Sequence, residues 1–136
     1  MTTTTRFNLL LPNGTEQVVS EDVEQTVLSL IRAFGAEKNW PDAMVIQGDG
    51  EDSGWLHLFS HGDFGWLVVC CGDNDAFEYF LIEGDSTEEI EVKKAGLIDK
   101  YKRKQFVRFE LAEKAIIEFV RSGNCLASLC WEELGI

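Results

Sequence analysis

Basic residues are scarce in this sequence: 12 Lys and Arg stand against 24 Asp and Glu, a formal net charge of −12. Nucleic acid is held chiefly by releasing counterions from its phosphates to Lys and Arg, so this shortage argues against DNA or RNA as a direct ligand. Long apolar runs are also missing. The strongest, Trp66 to Cys71, is far shorter than the ~20 residues a bilayer-spanning helix needs. Met1 to Arg6 lacks the basic-then-apolar pattern of an export signal, so a cytoplasmic protein with no membrane contact is expected. There are two His and four Cys, and Cys70, Cys71, Cys125 and Cys130 form neither a C-x-x-C pair nor a secreted disulfide framework. Reduced thiols are the expectation.

What is present is ordinary globular material. Hydrophobic residues make up 45% of the 136, with four Trp and nine Phe to fill a core. No linker-like composition shift or repeat divides the chain, so residues 1–136 are read as a single domain, a monomer or weak dimer.

Residues 6–11 and 15–19 are extended and apolar around Pro12-Asn13-Gly14, which predicts an opening β-hairpin. Ser20 is placed as an N-cap, and Val23, Val27, Leu30, Ile31 and Phe34 recur at helical spacing until Gly35. Strands are expected over 43–47, 54–60, 64–71, 77–83 and 88–92, separated by short Gly/Asp/Asn turns that force antiparallel neighbours. A strand over 104–109, a helix over 110–122 stopped by Gly123, and a last strand over 129–134 complete the pattern. Strands with one early and one late helix predict an α+β fold: a single antiparallel β-sheet with two main helices packed on it.

Catalytic and metal constellations fail on spacing. His57 and His61, four apart on a strand, lie roughly 13 Å from each other. Residues 49–56 imitate the start of a calcium loop, but its twelfth position is Ser60, where a bidentate Glu belongs. Ser60, His61 and Asp63 hold the residue types of a hydrolytic triad, yet neighbours on an extended chain point apart. No catalytic residue, metal ligand or cofactor is therefore assigned.

The charge distribution is more informative. Residues 93–104 hold six of the twelve basic residues (Lys93, Lys94, Lys100, Lys102, Arg103, Lys104) and one acid, leaving six basic against 23 acidic residues elsewhere, a net of −17. Between Glu37 and Glu91 the only basic residue is Lys38. Turns alternate between the two ends of an antiparallel sheet, so residues 48–53 and 72–75 should emerge together. Asp49, Glu51, Asp52, Asp73 and Asp75 would then form an acidic rim, with Trp55 and Trp66 as aromatic anchors for a basic protein partner.

The run Phe106 to Gly123, followed by Leu129-Cys130-Trp131-Glu132, resembles an immunity protein family of bacterial polymorphic toxin systems that ends in a Trp-Glu motif. Gly62-Asp63-Phe64-Gly65-Trp66 is similar to that family's central hairpin. The resemblance implies a non-enzymatic cytosolic α+β protein that binds and blocks the C-terminal domain of a cognate secreted toxin. Such toxins are often nucleic-acid or nucleotide deaminases, and so carry a basic substrate cleft. Carried onto this chain, the signature positions are Phe119, Gly123, Trp131 and Glu132, expected to act structurally. Trp131 should face the core, and Glu132 should meet a basic group or a backbone N–H. Two other readings compete: a small metal-binding or hydrolytic domain using the acidic and His residues of 49–63, and an acidic adaptor or chaperone of a secretion system.

Overall fold

The computed structural model describes residues 6–11, 14–35, 44–48, 54–61, 64–72, 77–94, 96–123 and 129–133. Alternation shapes the first hairpin. In β1 (Phe7–Leu10) the side chains of Phe7 and Leu9 are buried while Asn8 and Leu10 point outward, and β1 pairs with β2 (Glu16–Val19). Gly14, at φ +86, closes the turn with its N–H donating to the Leu11 carbonyl at 2.9 Å. Helix α1 (Val23–Gly35) begins three residues after Ser20, with Asp22 at φ +46 as the bend before it. Val27 and Ile31, one turn apart, are fully buried.

Four consecutive strands follow as neighbours: β3 (Met44–Gly48), β4 (Trp55–His61), β5 (Gly65–Cys71) and β6 (Tyr79–Leu81). The chain then leaves the sheet. Strands β7 (Glu89–Lys94) and β8 (Leu97–Lys102) pair only with each other, in a separate two-stranded sheet. A 3-10 turn (Arg103–Gln105), the short strand β9 (Phe106–Val107), helix α2 (Phe109–Ser122) and β10 (Trp131–Glu133) complete the order. The main sheet runs β10-β6-β5-β4-β3-β1-β2, with β9 paired to β5 at Trp66 and Leu67, and every pairing is antiparallel. The fold is α+β with one main antiparallel sheet.

Two expectations are corrected. The strand expected over 88–92 does not extend the main sheet, because the segment between β6 and β7 spends its backbone hydrogen bonds elsewhere. Glu83 N–H donates to the Lys104 carbonyl at 2.9 Å and Lys104 N–H to the Ser86 carbonyl at 3.0 Å, while Ile82 N–H reaches the Cys130 carbonyl at 3.0 Å. The extension expected over 104–109 breaks up into the 3-10 turn, two residues of strand and the start of α2. Strand β8 has no clean alternation and forms by pairing with β7.

Helix α2 covers one sheet face. Phe119 packs on Phe7 at 6.2 Å between ring centroids, and Phe109 on Trp66 at 5.1 Å. Gly123 at φ +76 ends the helix in the left-handed conformation, its N–H donating to the Phe119 carbonyl at 2.8 Å. Ion pairs Arg32 to Glu113 and Arg121 to Glu24 bind α1 to α2. Register places Leu9, Ile46, Leu56 and Cys70 in one buried row beneath the helices. Among the described residues no helix is long and apolar enough to cross a membrane.

Candidate protein-binding face

The other face of the main sheet carries the more exposed side chains. Ladder register fixes its rows. One row runs Val18, Asn8, Gln47, Trp55, Cys71, and the next runs Glu16, Leu10, Val45, His57, Val69, Phe80. The β7–β8 hairpin lies over the β5 and β6 part of this face. Its Tyr101 ring meets Phe80 at 6.0 Å and Phe106 at 6.2 Å, and Ile90 and Val92 are buried. A crevice of about 50 Å³ remains between Tyr101 and the strand residues His57, Phe59 and Val69. Over β1, β2 and β3 no described element covers the face, and an open depression of about 620 Å³ is lined by residues that include Asn8, Leu10, Glu16, Val18, Val45 and Gln47.

Asp49, Glu51, Asp52, Asp73 and Asp75 lie outside the described residues, but the strand ends that flank them do not. Gly48 N–H donates to the Gly54 carbonyl at 3.2 Å, and Trp55 pairs with Cys71, so the ends of β3 and β5 and the start of β4 meet at one end of the sheet. Trp55 sits there half-buried, its ring 4.5 Å from the His57 ring. Trp66 is corrected. Its pairing with Ser60 turns it to the helix side, where it is 7% exposed under Phe109 and serves as core rather than as an anchor.

No family model, curated protein or solved structure matches this chain. The site is therefore read from its own residues. The two His diverge in role, with His57 against Trp55 and His61 against Phe64 and Phe106 at 5.2 and 6.1 Å. Among the described residues no group of three or more His, Cys, Asp or Glu is placed to hold a metal ion. Cys70 is buried on the helix side and Cys71 half-buried on the other.

The basic strip is less basic in three dimensions than in sequence. Across the hairpin Lys102 faces Glu89 and Lys100 faces Glu91, so two of its charges are opposed in register. Arg103 lies over the Phe64 ring at 5.7 Å and Lys104 is taken up by Glu132. At the hairpin end Leu97 and Ile98 are exposed beside Lys93.

Of the signature positions, Phe119 is 1% exposed and Gly123 supplies the helix stop. Trp131 pairs with Leu81 on the helix side of the sheet and packs against the core while remaining half-buried. Glu132 turns the opposite way, its Oε2 2.5 Å from Lys104 Nζ. The Lys104 side chain is only 15% exposed, so removing its carboxylate strands a poorly solvated ammonium. Glu132→Gln should lower unfolding stability by about 1–2 kcal/mol, and Lys104→Met with Glu132→Leu should recover most of that loss. Chemical denaturation of the three variants measures the coupling.

Sequence reasoning missed the exposed apolar side chains Leu10 and Val18 on this face. Their signal was present in Leu9-Leu10-Leu11 and Val18-Val19, where adjacent apolar residues place hydrophobic groups on both faces of a strand that expects only one.

Proposed function

We propose that this chain is a cytoplasmic immunity protein that neutralises a cognate toxin by stoichiometric binding, without turnover or a cofactor. The observation that supports this reading is that the strand ends flanking the two acid-rich sequence segments, Gly48, Gly54 and Cys71, meet at the Trp55 end of the sheet. The partner it fits is a basic enzyme domain acting on nucleic acid or nucleotides, a deaminase for example. Such an enzyme must concentrate positive charge at its substrate cleft, and a negative rim would both speed capture and deny phosphates their place. The C-terminal resemblance to immunity proteins points the same way.

The direct test uses the C-terminal domain encoded by the gene immediately upstream of this one. Co-expression should restore growth to cells poisoned by that domain, and the purified pair should run as a 1:1 complex whose formation slows as salt is raised. Continued killing, with no complex at low salt, would refute the reading.

A further inference from the structure

We infer that an open cleft between residues 83–86 and Arg103 binds a small phosphate monoester. It has a volume of about 630 Å³, and its lining includes Phe64, Glu83, Asp85, Ser86, Arg103 and Arg108. Arg103 is the residue that points to a ligand. Arg32, Arg108 and Arg121 each meet a carboxylate, as expected in a chain with 24 acidic residues to 12 basic ones. Half-buried Arg103 meets none among the described residues. Its guanidinium lies 5.7 Å from the Phe64 ring centroid and donates to the Phe64 carbonyl at 3.4 Å, which leaves most of its donors unused. The cleft is held in shape from several sides. Glu83 N–H donates to the Lys104 carbonyl at 2.9 Å, while its carboxylate accepts the Arg108 N–H at 3.0 Å and lies 3.1 Å from Arg108 Nε. One acid thus ties together the segments that carry both arginines. Gly65, at φ +116, admits the Val107 carbonyl oxygen to within 2.7 Å of where a methyl group would stand, and the neighbouring Phe64 ring is backed by His61 at 5.2 Å and Phe106 at 5.8 Å.

The donors select the ligand. A carboxylate presents two oxygens in one plane and is satisfied by a single guanidinium fork, whereas a phosphate monoester offers three terminal oxygens. Two guanidiniums and a hydroxyl match three oxygens. Ser86 Oγ accepts the Glu88 N–H at 3.4 Å, so its own proton is free to donate. Glu83 is already engaged by Arg108, and Asp85 beside them disfavours a ligand that carries a chain of phosphates. Phe64 and the guanidinium above it offer a stacking surface to a flat group borne on the phosphate.

The test is titration of the intact chain with inorganic phosphate, phenyl phosphate and benzoate at fixed ionic strength, followed through the amide NMR signals of Gly65, Gly84 and Ser86. Both phosphates should shift these signals saturably, phenyl phosphate binding about tenfold more tightly than inorganic phosphate and benzoate more weakly than either. Arg103→Gln should weaken phenyl phosphate binding by about tenfold or more, and Ser86→Ala, at an exposed position that leaves the fold intact, by about threefold. Lys93→Gln removes an exposed charge from the far end of the hairpin and should change nothing. No saturable shift up to about 10 mM of either phosphate would overturn the inference. Equal weakening by Lys93→Gln and Arg103→Gln would reduce the effect to general charge, and benzoate binding as tightly as phenyl phosphate would make the cleft a carboxylate site; either result overturns it as well. None of these outcomes bears on the immunity reading, which is tested separately.

Discussion

Gly54→Ala is expected to destabilise the protein by about 3 kcal/mol or more, the upper end of what overpacking costs. A methyl group built on Gly54 would lie 2.1 Å from the Cys71 carbonyl oxygen, 2.6 Å from the Gly72 carbonyl carbon and 2.9 Å from the Gly72 Cα. All three are backbone atoms, so no rotamer change relieves the clash. The ladder must open where Trp55 pairs with Cys71, at the strand ends that flank both acid-rich segments of the sequence. Denaturant unfolding gives the magnitude. Gly84→Ala is the control: its φ is +80 but nothing lies within 4 Å of the added atom, so only the backbone preference of about 1 kcal/mol is at stake. Equal losses at the two positions would mean that the β4–β5 end relaxes freely around the added methyl group.

Reversing Asp49, Glu51 and Asp52 to Lys together should slow association with the toxin domain by on the order of tenfold or more at low salt. The three sites are consecutive or nearly so in sequence, between Gly48 and Gly54, which are hydrogen-bonded to each other, so their charges are expected to act on an approaching partner together. The difference from the unmutated chain should shrink as ionic strength rises, because a Debye length of about 10 Å at 0.1 M already screens much of the approach. Dissociation should change less than association. Stopped-flow mixing across a salt series measures both. An unaltered association rate together with undiminished protection of toxin-exposed cells would move the search to the β7–β8 hairpin, where Lys93 stands beside exposed Ile98.

These two experiments probe features of different legibility. The element sequence around the acidic turns could be read from the chain: Gly and Asp clusters punctuate apolar runs, and short connections leave antiparallel neighbours no alternative. That the strand ends flanking the two acid-rich segments share an end of the sheet follows from counting connections, and the Gly54 approach to Cys71 is the geometric expression of it. The crowding itself could not be read, since Gly54 carries no mark that separates it from any other turn glycine. Trp55 and Trp66 teach the same lesson. Both precede apolar stretches of similar character, yet the β4–β5 register sends one to the open face and the other under α2. A one-residue slip would exchange them, and register is a property of the pair of strands.

Periodicity alone determined the two helices, the opening hairpin and the strands β3 to β5, because a side-chain repeat near 3.6 or of 2 is a local consequence of backbone geometry. Composition alone determined the acidic body, since charge needs no fold to be counted. Tertiary structure decided what those local patterns left open: that β1 rather than β2 pairs with β3, and that β7 and β8 leave the main sheet to cover its far face. It also neutralised part of the basic strip by bringing Glu89 and Glu91 across from Lys102 and Lys100. The reason is physical. A strand with apolar groups on both sides can bury either, and which side stays bare depends on what distant segments arrive to cover it.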